Sequence, residues 1–429
     1  MLFIIIPIFN LLFVTIIGYS KLDVNSIHRH QLIKVYLLYW IIIFNWFMSY
    51  YIHNLWVLVD LYILFIIRFN SISLFMVFIV ILVSSFVIFN SIDYLTIIDS
   101  YLFILYLGLF QLTMICFVCC QDLILLFLNW DLLGLISYLL INYWSSKVNC
   151  GIKAIIFNRL GDLSMLYLLS IIFSLFNLLG YYGFTSCNLI SITITILYTY
   201  LGTNYLYLSL IGLSLLFILF TKSAQFPFSS WLLNAMNAPT PISALLHSST
   251  MVIAGVYLGI IVQDSIILII TILPSILSSL FFIIPILTLI WAVFKAVMIC
   301  DIKAIIALST ISQISYMYVG LLLNPFLCLF HVIIHAVFKS LLFILAGIII
   351  HYTLSYQSIY KMKINHSFIK ILFILASCVL VMSLSKEIII YSSLIQLSLS
   401  VFSINLWLGA GFTFLYVIKI YSYLFFTTS

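Results

Sequence analysis

Lys222 lies deep in an apolar stretch, in Phe220-Thr-Lys222-Ser-Ala-Gln225-Phe-Pro227. A proline removes one helical hydrogen bond, and carbonyls freed near such a break can hold water. The pattern predicts a broken helix, with Pro227 supporting the break and the lysine facing it. A lysine shielded from water can give up and retake a proton, as lysines that act as bases do. The simpler reading is a side chain reaching for the membrane surface. The depth of Lys222 in its span argues against that.

Asp131, in Asn129-Trp130-Asp131-Leu132-Leu133-Gly134, is a carboxylate deep in a second apolar stretch. It is the natural partner of Lys222, because opposite charges side by side relieve each other's desolvation. A purely structural ion pair is the competing reading. His331, His335 and Lys339 recur at i, i+4 and i+8 and form one stripe about 12 Å long on a single helix face. Imidazoles both accept and donate protons, which a relay requires. A metal on His331 and His335 would need a third ligand, and none is evident. His247 opens another span after Pro239-Thr-Pro241, and Lys386 and Glu387 lie late in a further one. Arg159 and Asp162 can pair locally at i, i+3, in support of this line or as a plain charged anchor.

These residues need a scaffold of apolar helices, and the composition permits little else. Of 429 residues, 66% are hydrophobic and 6% charged, against about 25% charged in a soluble domain. A crossing takes about 20 apolar residues. Hydropathy predicts thirteen spans, at 2–19, 33–51, 71–90, 101–119, 122–144, 153–179, 205–231, 241–262, 273–298, 303–321, 326–351, 368–396 and 403–426. The first is read as a span that is kept, with no basic presequence ahead of it. The loops test this count. Lys21, Arg29, Lys34, Lys147, Lys153, Lys303, Lys361, Lys363 and Lys370 fall in odd-numbered loops and only Arg68 in an even one. Odd loops therefore face the cytoplasm or matrix.

Six basic residues remain inside spans: Arg159, Lys222, Lys295, Lys339, Lys386 and Lys419. Each costs about 2.5–3.5 kcal/mol at mid-helix on the mildest scale, so such groups must pair or meet water. Lys419 and Lys295 are read as reaching outward. Cys116, Cys119 and Cys120 lie in an apolar helix and read as small hydrophobes rather than metal ligands. The net charge of +6 belongs to membrane loops and implies no nucleic acid. Lysine-bearing spans seven and twelve are five apart. That interval predicts an all-α fold with two inverted five-helix repeats and broken helices, a transporter plan. The expected division is a three-helix segment at 1–100, a first repeat at 101–262 and a second at 263–429.

Several stretches resemble a known family. Lys222-Ser-Ala-Gln-Phe-Pro, with Trp231-Leu-Leu-Asn-Ala-Met-Asn-Ala-Pro-Thr-Pro-Ile-Ser-Ala-Leu-Leu-His247-Ser-Ser-Thr-Met-Val, is similar to the signature of the subunit 5 family of NADH dehydrogenase, mitochondrial complex I. So are Asp301-Ile-Lys-Ala-Ile-Ile-Ala-Leu-Ser-Thr-Ile-Ser-Gln and His331-Val-Ile-Ile-His335-Ala-Val-Phe-Lys339-Ser-Leu-Leu-Phe, and Ser385-Lys386-Glu387 takes the place of that family's Ser-Lys-Asp. The likeness runs from about residue 122 to 426.

The resemblance implies a proton-translocating, antiporter-like subunit in the mitochondrial inner membrane, with Asp131, Lys222, His247, His331, His335, Lys339 and Lys386 as its relay. It implies no redox centre on this chain. NADH, FMN, iron–sulfur clusters and quinone would belong to partner subunits, among them a neighbouring antiporter-like subunit 4. Asp131 stands where the family has Glu, and span twelve has no Gly or Pro ahead of Ser385. The family's lateral helix lies beyond the last residue here, so an accessory or continuation polypeptide is expected against the C-terminal flank. The rival readings are a subunit of a free-standing cation/proton antiporter complex and a non-conducting structural subunit of the membrane arm.

Overall fold

Residues 70–94, 100–120, 122–143, 148–178, 205–272, 276–353, 356–362, 366–397 and 401–425 are described by the computed structural model. The spans expected at 2–19 and 33–51 lie outside the described residues. Where lipid offers no hydrogen bonds, a chain this apolar must satisfy its backbone within each segment, and helices do so. The helices are α1 (Ser71–Tyr94), α2 (Ser100–Cys119), α3 (Leu123–Ile141), α4 (Val148–Leu178), α5 (Tyr205–Lys222), α6 (Ser230–Ala235), α7 (Thr240–Ser248) and α8 (Met251–Ile261). They continue with α9 (Gln263–Ile272), α10 (Ile276–Met298), α11 (Ile302–Leu323), α12 (Pro325–Tyr352), α13 (Ser367–Val381), α14 (Leu384–Leu397) and α15 (Val401–Phe425).

Ten stretches among these are long and apolar enough to cross a membrane, counting α7–α8 and α13–α14 as one each. The eleventh span expected in this region, 205–231, is cut short at Lys222 by the predicted break. Residues 263–272, expected in a loop, instead form α9: Val262 closes α8 and the apolar run Ile266–Ile272 resumes the helix at once. Ten residues cannot cross a bilayer.

The helices pack in two similar series. In the first, α2 packs on α3, α3 on α4, α4 on α5, and α5 on α8; in the second, α10 packs on α11, α11 on α12, α12 on α13, and α13 and α14 on α15. The windows through α7–α8 and α11 are 94% buried, against 28% for α15. The bundle is thus built around α7–α8 and α11, and the outer helices turn Leu163, Phe368 and Ile395 outward.

Two lysines behave differently from their sequence reading. Span twelve is broken at Met382–Ser383 although no Gly or Pro specifies it. The carbonyl freed at Val381 accepts a hydrogen bond from Lys386 Nζ at 3.4 Å, so the lysine itself caps the break. Lys419 does not reach outward. Its Nζ donates to the carbonyls of Val297 (2.6 Å) and Ile299 (2.7 Å), closing the C-terminal end of α10 with a cation, the charge that end favours.

Lys419→Met should leave those carbonyls without their donor and cost about 1.5–3 kcal/mol, the range for hydrogen bonds to charged groups. Thermal unfolding of the purified protein reads this directly. An unchanged Tm would mean that the clasp carries no weight.

Candidate functional site

The first cluster forms where α3, α4 and the end of α5 meet. Lys222 is fully buried in the last turn of α5. A helix C-terminus concentrates carbonyl dipoles, which favours a cation there. Lys222 Nζ donates to the Trp130 carbonyl of α3 and lies 4.0 Å from the centre of the Trp130 ring. The helix ends in a Schellman-type closure: Gln225 N–H bonds the Phe220 carbonyl (3.0 Å) and Ala224 N–H the Thr221 carbonyl (3.3 Å). Ala224 takes the left-handed position at φ 54°, where a side chain costs about 1–2 kcal/mol. Pro227 sits exposed in the following turn, and the closure has formed before it is reached.

Asp131 does not pair with Lys222. Its Oδ1 lies 2.6 Å from Arg159 Nη1, and the same guanidinium reaches Asp162 Oδ2 at 3.5 Å. Successive helical residues point about 100° apart. Trp130 therefore faces Lys222, while Asp131 turns to the half-exposed Arg159 on α4. Asp162, read as one half of a local pair, is buried, and its charge bears on Lys222 together with that of Asp131.

Gly161 makes this possible. A Cβ there would stand 2.3 Å from Thr221 Oγ1, so only glycine lets α4 approach α5 closely enough to bring Asp162 to the lysine. Among the described residues the buried Asn158 amide, one turn earlier, has no hydrogen-bond partner, and the buried Trp130 indole N–H faces Asp162 outside ideal bonding geometry. Buried polar atoms of this kind are the usual holders of ordered water.

The second cluster lies along α12. His331 Nδ1 is 2.8 Å from Ser385 Oγ, and its Nε2 is 3.1 Å from Gln313 Oε1. With the Gln313 oxygen turned to the ring, Nε2 donates to it and Nδ1 faces the Ser385 hydroxyl. The His335 ring centre is 6.5 Å from that of His331; the ring faces the Ser248 backbone with neither nitrogen in bonding geometry. Lys339 is buried and donates to Ser309 Oγ. His331, His335, Lys339, Gln313 and Ser383 line a small cavity, with about 20 Å³ open to the centre of a water molecule. One water needs about 10–15 Å³ by that measure.

His247 is buried on α7 between the Trp231 and Phe343 rings, neither nitrogen bonded, and the Lys339 charge faces it. Lys386 donates to Thr413 Oγ1 at 3.0 Å and lies 5.2 Å from the Tyr316 ring centre. Glu387 lies on the exposed side of α14 and forms no ion pair among the described residues. The residues that sequence reading passed over are uncharged ones, Gln313, Ser309, Ser385, Thr413 and Trp130, which hold the titratable groups. Their signal was the density of hydroxyl and amide residues in otherwise apolar helices.

A buried line of lysines and histidines between broken helices defines a multi-pass, antiporter-like membrane protein. The family described as NADH:quinone oxidoreductase/Mrp antiporter, TM, matches residues 120–419, and the chain belongs to it. NADH-quinone oxidoreductase subunit L of Buchnera aphidicola is 36% identical over 274 residues, 63% of this chain and 42% of that protein. NADH-ubiquinone oxidoreductase chain 5 of Aedes aegypti is 38% identical over 300 residues, 68% and 47%. The same-named protein of Anopheles arabiensis is 37% identical and covers 68% and 72%. The chain thus spans less than half the length of the Buchnera and Aedes relatives.

Among solved structures, the membrane-bound sulfane sulfur reductase, an archaeal respiratory membrane complex, superposes with a TM-score of 0.78 at 18% identity, over 99% of this chain and 88% of that one. The Mrp complex of a Dietzia species gives 0.68 at 23% identity, over 82% and 39%. At those identities the likeness is one of fold.

Asp162→Asn should disturb proton exchange at Lys222 more than Asp131→Asn does, because Asp162 is buried and stands farther from Arg159, at 3.5 Å, than the part-exposed Asp131 does, at 2.6 Å. Proton uptake measured on the two variants side by side tests this. A larger loss with Asp131→Asn would return the pairing to the one read from sequence.

Proposed function

We propose that this chain is a proton-conducting, antiporter-like membrane subunit of an NADH:quinone oxidoreductase of the respiratory complex I type, in the mitochondrial inner membrane. The observation that carries the reading is the buried succession Lys222, His247, His335 and His331 with Lys339, then Lys386, in which the lysines and His331 are held by neutral partners, His335 lines a cavity with room for water and His247 lies between aromatic rings. In this reading Arg159 divides its charge between Asp131 and Asp162. A shift of the guanidinium towards Asp162 withdraws negative charge from Lys222 and lowers its hold on a proton. The proton passes by way of the α12 stripe and its cavity to Lys386.

Moving one charge against 100 mV costs about 2.3 kcal/mol, so the driving energy must come from outside the chain. NADH oxidation in partner subunits, which would hold the FMN, iron–sulfur clusters and quinone, is the proposed source. A neighbouring antiporter-like subunit is the proposed lateral partner. The names of the relatives support these assignments, and the distribution of Lys and Arg among the loops supports the orientation. The likeness to an Mrp complex favours one second reading, a subunit of a cation/proton antiporter assembly. Cation-driven proton transport without NADH would select it.

Lys222→Ala in the assembled oxidoreductase should lower the protons pumped per NADH while the complex stays intact and NADH oxidation continues. Proteoliposomes with a pH-sensitive dye read the ratio. A ratio at the wild-type value would end the proposed role of Lys222.

A further inference from the structure

Among the described residues, the two lysine-bearing breaks, at the end of α5 and between α13 and α14, share no ion pair. One helix touches both. On α11, Tyr318 Oη lies 3.0 Å from the Leu219 carbonyl and 3.0 Å from Ser223 Oγ, on either side of Lys222 in the α5 closure. Ser315 Oγ stands 2.9 Å from Thr288 Oγ1 of α10, and Thr288 donates to the side-chain oxygen of Gln225 in the same break at 2.5 Å. All five side chains and the break itself are buried.

Elsewhere on α11, Ser309 accepts from Lys339. Gln313 bonds His331, which bonds Ser385 beside Lys386. The Tyr316 ring stands beside Lys386 Nζ, and Gly320 is so close to Ile389 of α14 that a Cβ would lie 3.1 Å from it.

Helical spacing sorts these residues. At about 100° per residue, Ser309, Gln313, Tyr316 and Gly320 share one face, and Ser315 and Tyr318 share another about 160° away. One face therefore holds the first break and the opposite face the second. Beyond Lys303 in its first turn α11 has no charged residue, so it carries no net charge of its own between the two. It is packed on nearly every side, and close-packed interiors shift between discrete arrangements rather than deforming smoothly.

We propose that α11 is the coupling element of the subunit: a change of backbone at the Lys222 break moves α11 through Tyr318 and Ser315, and Gln313 and Tyr316 deliver the movement to His331 and Lys386. Tyr318 and Ser315 are positioning residues in this scheme. The inference rests on the proton-conducting reading.

The test uses the assembled oxidoreductase in proteoliposomes. It compares Lys222→Ala, Tyr318→Phe, Ser315→Ala, Ser315→Thr, Gln313→Leu and the double variant Tyr318→Phe with Gln313→Leu. Each is scored for complex content, NADH oxidation and protons per NADH. Tyr318→Phe and Ser315→Ala should keep content and NADH oxidation yet lose the same share of pumping as Lys222→Ala. Ser315→Thr, which keeps the hydroxyl, should restore it, and the double variant should pump no worse than the lower single variant.

Wild-type pumping in Tyr318→Phe and Ser315→Ala, beside a loss in Lys222→Ala, overturns the coupling role and leaves the functional reading standing. Additive losses in the double variant, or losses that follow complex content, also overturn it. If Tyr318→Phe does not assemble, Ser315→Ala decides; if neither assembles, their role is structural and the inference fails. Wild-type pumping in Lys222→Ala removes the functional reading and the inference together.

Discussion

An ammonium group enclosed by hydrocarbon must find oxygen, and each buried lysine in this bundle finds it in an uncharged place. Lys222 takes the Trp130 carbonyl, Lys339 the Ser309 hydroxyl, Lys386 a threonine hydroxyl and a carbonyl freed by a helix break, and Lys303 the carbonyl of Ala238. A carboxylate in direct contact would hold the proton firmly. Neutral oxygens stabilise the charged form while leaving proton release within reach, and burial keeps water from deciding the matter. The broken helices follow from the same need, since an intact helix keeps its carbonyls for itself.

The two halves meet that need by different means. In the first, two carboxylates and a guanidinium surround the lysine at one remove, so its environment can be altered by moving charge. In the second, imidazoles, hydroxyls and an amide line a small cavity, a setting suited to change by rotation and proton transfer. α11 and the α7–α8 pair stand between them, the most enclosed segments of the fold. Both kinds of chemistry are thus set against a closely packed core, with the apolar outer helices left to face lipid or neighbours.

Much of this could be read from the residues alone. The spans among the described residues and the His331–His335–Lys339 stripe are local patterns, fixed by hydropathy and by 3.6 residues per turn. The break after Lys222 was legible, although a left-handed Ala224 rather than Pro227 makes the turn. What could not be read was direction in space. A single residue's rotation on α3 decides that Trp130 and not Asp131 meets Lys222. The absence of a side chain at Gly161 decides that Asp162 comes near. Lys419 looked like a surface anchor because only the tertiary fold brings the end of α10 within its reach. The break ahead of Lys386 has no punctuating residue; the lysine that uses it also holds it open.

The small volume beside the α12 stripe has a consequence for the membrane as an insulator. A continuous file of water through the bundle would let protons flow back down the gradient as fast as they were moved. The cavity beside His331, His335 and Lys339 has room for one water, and apart from Gln313 and Ser383 the rest of its lining is apolar: Ile334, Phe338, Val379 and Leu380. In the proposed conducting role, a cavity this small makes the turning of a side chain towards the next acceptor part of each proton step. On that proposal the tightness of this packing would act as the electrical resistance of the subunit, and widening it by a few methyl groups would turn a valve into a leak.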